Sequence, residues 1–175
     1  ESAGDLKASL LFSRQAVEIH KSLGLDKEVA WGLTNLAAKL NLQGEIQQAG
    51  AHFQEAYNLA DKLNDSRLRA EINMRMAYIH TLIGQMAEAR TLWEEVIQDA
   101  STGSVPAQHI AIASAYLITL CSSEEFDTFC ERAQKWLNDS QPSIYLSVAQ
   151  RILAEQLTEK HRWEEARPLL MSAVN

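Results

Sequence analysis

Gly4, Gly44 and Gly84 fall 40 residues apart in a chain of 175 residues that contains only seven glycines. A fixed period of this length marks a repeat architecture, in which every unit must be the same supersecondary element burying its face against its neighbours. Adjacent registers keep the period. Leu6, Ile46, Met86 and Phe126 form one of them, and Val17, Tyr57, Ile97 and Leu137 form another, all large and apolar. Two smaller registers are Ala16, Ala56, Val96 and Ser9, Ala49, Ala89. After position 137 the period shortens to 37, carrying the series to Trp163, Ala166 and Val174.

Within one unit the apolar residues recur at helical spacing on two segments. Leu33, Leu36, Ala37 and Leu40 precede Gly44, and Ile46, Ala49, Phe53, Ala56 and Tyr57 follow it. Each unit is therefore expected to be a helix, a tight turn at the glycine and a second helix, with glycine accepting the left-handed conformation that ends a helix. Asp5, Glu45 and Gln85 follow the three glycines, and acidic residues there complement the positive end of a helix dipole. The pairs Glu124-Glu125 and Glu164-Glu165 fit the same helix-start role, as solvated side chains without catalytic partners. Three prolines, seven glycines and 46% apolar residues suit an all-α chain. The periodicity predicts nine helices, at about 5–23, 27–42, 45–63, 67–83, 85–100, 106–121, 124–138, 143–159 and 163–174. Pro168, one turn into the last, should kink it or delay its start.

The pattern Leu36-Ala37, Leu40, Gly44, Ala49, Phe53, Ala56, repeated by Met76-Ala77, Gly84, Ala89, Trp93 and Val96, resembles the tetratricopeptide repeat (TPR) family. A 40-residue unit is similar to the longer variants in arrays of bacterial signal-transduction ATPases and regulators, and in some eukaryotic adaptor scaffolds. The resemblance covers essentially the whole chain and implies a right-handed α-solenoid of antiparallel helix hairpins. It divides residues 1–175, as one array, into units of about 1–26 (partial), 27–66, 67–104, 105–140 and 141–175. Small and large residues alternate at Ala49 with Phe53 and at Ala89 with Trp93, as close helix packing requires. The fourth unit departs from this. With Glu124 at the turn, Phe129 and Ala133 exchange large for small; a second alignment matches Ala115-Tyr116 with Ala77-Tyr78 and lengthens the Ser122-Ser123 turn by two residues. From Glu1 in place of Met, and a first helix without a hairpin mate, the chain is expected to be a fragment of a longer protein, and its repeat ends are expected to allow self-association.

The formal net charge of −7, with no basic run, argues against a nucleic-acid surface. The most apolar stretch, Ile110 to Cys121, is short of the roughly 20 residues of a membrane span and is expected to be a core helix. Cys121 and Cys130, nine apart and without a C-x-x-C pattern, are expected as buried free thiols, and the chain as cytoplasmic. No phosphate-loop, dinucleotide, zinc-protease or nucleophile-elbow motif occurs, so neither catalysis, a cofactor nor a metal site is expected. The histidines at 20, 52, 80, 109 and 161 are scattered over the units, and His80 is expected to be structural. Trp93 and Trp163 fit core registers; Trp31 does not and is free for a surface role.

In the resembling family the first helix of each hairpin lines the concave wall. By register that wall would present Trp31, Thr34, Asn35, Ala38 and Asn41, then Glu71, Met74, Arg75 and Tyr78, then Ser114 and Ile118, then Arg151 and Glu155. Asn35, Arg75 and Arg151 can donate to a peptide backbone or a carboxylate, Arg in bidentate fashion. The principal binding candidates are Trp31, Asn35, Asn41, Arg75, Tyr78, Arg151 and Glu155. Chaperone-tail binders of the family use a Lys, Asn and Arg clamp, whereas Thr34 and Ala38 stand where its first Lys and Asn belong. The implied function is a non-catalytic scaffold for a protein or an extended peptide, within a larger bacterial regulatory or signalling protein. The alternative is a sensor of a small ligand or signal peptide in a transcriptional regulator. The tetrapeptide LNDS, at Leu63–Ser66 and Leu137–Ser140, is expected at inter-repeat turns, with Asn64 and Asn138 left-handed and Asp or Ser capping the next helix.

Overall fold

A computed structural model of the chain describes residues 3–100 and 103–173. Among these residues the fold is all-α. Its helices are α1 (Ala3–Ser22), α2 (Asp26–Leu42), α3 (Ile46–Lys62), α4 (Ser66–Leu82), α5 (Met86–Asp99), α6 (Ala107–Leu120), α7 (Phe126–Asn138), α8 (Ile144–Glu159) and α9 (Trp163–Ala173). Every helix expected from the sequence is present, with ends displaced by at most about two residues, the range over which frayed helix ends vary. Val174 and the side chains of Asp5 and Leu6, which belonged to the repeat registers, lie outside the described residues.

One turn recurs. Gly24, Gly44 and Gly84 take φ of +67°, +81° and +80°, and Asn64 and His161 take φ of +52° and +59°. At each, the next residue's N–H reaches back to the helix. Leu25 donates to the His20 carbonyl, Glu45 to Leu40, Asp65 to Ala60, Gln85 to His80 and Arg162 to Leu157, all at 2.9–3.1 Å. The left-handed residue itself donates to the carbonyl three positions earlier. These paired bonds satisfy carbonyls that a helix end leaves open. Gly4 is the exception to the expected pattern, because it lies inside the first turn of α1 and ends no helix.

The two LNDS copies differ. Asn64 is left-handed and Asp65 Oδ1 accepts from the Leu68 N–H at 3.0 Å, so the first copy both closes α3 and caps α4. In the second copy Asn138 is the last residue of α7, outside the left-handed set, and α8 begins only at Ile144. There Ser143 Oγ caps the helix, accepting from Leu146 N–H at 3.1 Å, and Ser140 Oγ turns back to the Trp136 carbonyl at 2.6 Å.

The chain divides into two compact units, Glu1–Met76 and Ala77–Asn175, with the division inside α4. In the first, α2 packs on both α1 and α3. Val17 sits against Gly32 so closely that a Cβ on Gly32 would come within 2.8 Å of Val17 Cγ2. α3 buries the single stripe Ala49, Phe53, Ala56, Ala60. In the second unit α6 packs on α5, α7 and α8 and is buried nearly all round, from His109 to Ala115 and at Leu117 and Ile118. Fully burying Trp93 or Phe53 in such layers contributes about 1.5–3 kcal/mol each. Ile46 and Met86, by contrast, are 42% and 47% exposed in a register that buries Phe126. Trp163, expected in the core, is 57% exposed: it opens α9, whose buried side is confined to Ala166. Pro168 lies within a continuous α9 and does not delay its start.

The fourth unit follows both alignments at once. α6 ends at Leu120, 38 residues after α4 ends at Leu82, while α7 begins at Phe126, 40 residues after Met86. The two extra residues lengthen the turn, and Phe129 and Ala133 are both buried with their sizes exchanged. Cys121 ends up half-buried in that turn while Cys130 is buried, and both thiols are free. Burial pushes the Cys130 thiol up to about 11.

Glu125 organises the longer turn. It accepts from the Ser122 N–H and hydroxyl at 3.0 Å each, and from Arg90 of α5 at 2.6 and 3.3 Å. It is thus an anchored residue, unlike the exposed Glu124. The Arg90 guanidinium, then the Ser122 N–H and hydroxyl, hold its carboxyl down to about 2 from 4.5. A depressed carboxyl stabilises the fold fully above the unfolded value and ceases to do so as pH falls through the folded one. Glu125→Gln should therefore lower the urea midpoint at pH 7, and the gap from wild type should narrow steadily from pH 4.5 toward about 2. A gap independent of pH would remove the Arg90 pair from the account.

Candidate functional site

In the second unit, Ala77 of α4 and Ala115 of α6 are fully buried, and each is followed by a tyrosine. A residue next to a buried helix position sits at the rim of the packed face, about 100° further round. Tyr78 is accordingly 46% exposed and Tyr116 half-buried. Tyr116 lies parallel on the indole of Trp93, with centroids 4.6 Å apart and planes at 5°. Tyr78 meets Tyr116 edge-on at 6.1 Å and 68°. Three rings from three helices thus form one continuous aromatic step, from a fully buried end at Trp93 to an exposed end at Tyr78. Such geometries contribute about 0.5–1.5 kcal/mol per pair beyond area burial.

α8 packs on α6, the helix that carries Tyr116. Burial, reinforced by Tyr78, pushes the Tyr116 phenol up to about 12, and Arg151 opposes it, which brings Arg151 into electrostatic range of that hydroxyl. Arg151 Nη1 donates to Glu155 Oε1 at 3.0 Å, one helical turn on, with both side chains more than half exposed. The guanidinium has further N–H groups for a carbonyl or carboxylate. Of the seven principal candidates, Tyr78, Arg151 and Glu155 lie in the second unit; Tyr78 packs on Tyr116, a residue absent from the expected set, and Arg151 and Glu155 stand on α8, which packs on the helix that carries Tyr116. The signal for Tyr116 was present in the Ala-Tyr pair that recurs 38 residues after Ala77-Tyr78.

The other four lie in the first unit. Asn35 is exposed on α2, where Trp31 and Asn41 are half-buried. Arg75 Nε donates to Glu71 Oε1 at 2.8 Å, and Glu71 itself is buried. Five other positions expected on the wall are buried and present no surface: Thr34, Glu71, Met74, Ser114 and Ile118. First-hairpin helices are covered from several sides, so their packed face is wider than one stripe; Thr34 turns its hydroxyl to the Ala30 carbonyl at 2.7 Å. His80 is engaged with Gln85 at 2.6 Å. Among the described residues there is no group of three or more side chains able to hold a metal ion, and no helix is long and apolar enough to cross a membrane.

No protein-family model matches the sequence, and no curated protein sequence matches it. Solved structures do match. BtubC (BKLC) from P. vanneervenii superposes with a TM-score of 0.71 at 17% identity, over 99% of this chain and 73% of that one. A protein from Podosopora anserina, described as a kinesin light chain with nearly identical TPR-like repeats, superposes with a TM-score of 0.63 at 17% identity, over 97% and 86%. This chain accordingly has the all-α, TPR-like helical-repeat fold.

Among the described residues the Trp93 indole Nε1 is buried without a hydrogen-bond partner, a cost of about 1–3 kcal/mol borne beneath the aromatic step. Trp93→Phe, which supplies the ring that Phe53 supplies in its own unit, should keep the melting temperature within a few degrees. Trp93→Ala should lose about 3–5 kcal/mol in urea unfolding. Equal losses for both would show that the indole N–H has a partner.

Proposed function

We propose that this chain is a non-catalytic interaction module that binds an extended segment of another protein along the rim formed by Tyr78, Tyr116, Arg151 and Glu155. The observation that carries this proposal is the aromatic step. A ring that is exposed at one end and braced by a buried stack loses little entropy on binding, and aromatic and arginine side chains are the usual anchors of such surfaces. The Arg151–Glu155 pair supplies donors and acceptors suited to a peptide backbone. Helical-repeat scaffolds of this fold typically mediate protein interactions, which agrees with that use. Asn35, Asn41, Trp31 and Arg75 are proposed as further contacts on the first unit. A net charge of −7 supports a protein partner over nucleic acid, and two free thiols favour a reducing, cytoplasmic setting. The 40-residue phase supports a place within a larger regulatory or signalling protein.

The test is selection of peptides from a random displayed library on the intact chain, followed by fluorescence anisotropy with the enriched peptides. Micromolar binding that weakens about tenfold or more in Tyr78→Ala and in Arg151→Glu is expected. Enriched peptides indifferent to both substitutions, or calorimetric binding of a small metabolite at micromolar affinity without any peptide, would replace this function with the sensor alternative.

A further inference from the structure

Arg14 and Glu18 stand four residues apart on α1, with the spacing and order at which Arg90 bonds Glu94 at 2.9 Å and Arg151 bonds Glu155 at 3.0 Å. An Arg and a Glu so placed ordinarily close on each other. Arg14 and Glu18 do not, and neither makes a hydrogen bond or an ion pair among the described residues. One period later the same registers hold Gln54 and Asn58, a neutral pair that does close, with Gln54 Nε2 donating to Asn58 Oδ1 at 3.0 Å. The later copies hold Glu94 with Gln98 and Gln134 with Asn138, so α1 alone places opposite full charges in these registers.

The open pair borders a cavity of about 410 Å³. α1 lines it with Arg14, Glu18 and Lys21, and α3 with Gln48 and His52. The buried side chains of Val17 on α1 and of Leu33 and Leu36 on α2 form its apolar floor. Val17 is the smallest member of the register it shares with Tyr57, Ile97 and Leu137, so less of the space is filled here. Lys21 reaches from α1 to Glu55 of α3 at 2.9 Å, and His52 Nδ1 stands 3.9 Å from the same carboxylate. The stripe that α3 buries, Ala49, Phe53, Ala56 and Ala60, corresponds on α1 to Ser9, Ser13, Ala16 and His20. None of these lines the cavity, which is framed by three helices of one compact unit.

The charges around the cavity specify its occupant. Lys21 and Glu55 neutralise each other, which leaves one guanidinium and one carboxylate unbonded. A simple anion on Arg14 meets Glu18 as a like charge, and a simple cation on Glu18 meets Arg14 and Lys21. A ligand carrying one charge of each sign pairs with both. Side chains one helical turn apart have Cβ atoms about 5–6 Å from each other. The ammonium and carboxylate of an α-amino acid share one carbon and fit within that span, each in a charge-assisted hydrogen bond. The volume falls in the range of small-molecule sites, about 300–1000 Å³.

We propose that the cavity between α1 and α3 binds a free α-amino acid with an aliphatic side chain. Its carboxylate pairs with Arg14, its ammonium with Glu18, and its side chain covers Val17, Leu33 and Leu36. The site lies in the compact unit without the aromatic step and takes a different class of ligand, so it stands whether or not the rim binds a peptide.

Isothermal calorimetry of the intact chain with L-leucine tests this site, beside two single-charge analogues. Leucinamide keeps the ammonium, and N-acetyl-leucine keeps the carboxylate. Saturable leucine binding is expected, with each analogue weaker by about tenfold or more. Arg14→Gln should weaken leucine about tenfold and erase its advantage over leucinamide, while Glu18→Gln should erase its advantage over N-acetyl-leucine. Both side chains are exposed and unbonded, so both variants should keep the wild-type melt by circular dichroism. Damage to the fold cannot produce losses specific to one analogue each. Absence of saturable leucine binding, or leucine affinities within about twofold of wild type in both variants, would overturn the proposal. So would N-acetyl-leucine or inorganic phosphate binding as tightly as leucine, which assigns the cavity to a simple anion.

Discussion

At Gly24, Gly44, Asn64 and Gly84 the backbone crosses into the left-handed region, each time 20 residues after the last. An L-residue with a β-carbon resists that region, which only glycine, and to a lesser extent asparagine, enters at low cost. Once it is entered, two N–H groups turn back onto the helix they have just left, and the chain is released in a fixed direction. The next helix can then begin within two residues. Everything else about the repeat follows from repeating that geometry at constant spacing, because helices of equal length leaving equal turns bring the same registers into contact.

The packing shows what happens when the spacing is kept and when it is not. With the turn at Gly44 or Gly84, Ala49 and Ala89 lie buried at the first contact and Phe53 and Trp93 one turn later. Where the turn grows by two residues, at Cys121–Glu125, the small and large positions exchange, and Glu125 replaces the left-handed residue by tying Ser122 and Arg90 together. At the last hairpin His161 takes the left-handed position at φ +59°, so the motif survives there on a residue less suited to it. The aromatic step depends on this arithmetic. Tyr116 meets Trp93 because α6 keeps the phase of α4 at its C-terminal end, and the surplus residues fall afterwards.

The helices and most of their ends were legible because periodic apolar residues and turn glycines are local signals. The half-period was less so: Gly24 was in view but belonged to no 40-residue series, and Gly4, which did, ends no helix. Asn64 and Asn138 sit in identical tetrapeptides yet only the first is left-handed, since the residues that follow decide where the next helix can start. Burial was legible for stripes and illegible for the crowded helices. Thr34, Met74, Ser114 and Ile118 read as wall positions by register, but helices packed from several sides bury more than one stripe. Tyr116 was missed for a related reason, because its role comes from contact with Trp93 on another helix, which no spacing within one helix reports.

Hydrogen exchange by NMR on the backbone amides of Leu25, Glu45, Asp65, Gln85 and Arg162 tests the common turn most directly. These residues lie at the surface or half-exposed, and the N–H of each donates to the carbonyl five residues back. Protection of all five well above the rates of an unstructured chain is the predicted result. Exchange of these amides at unstructured-chain rates, while the helix interiors remain protected, would contradict it.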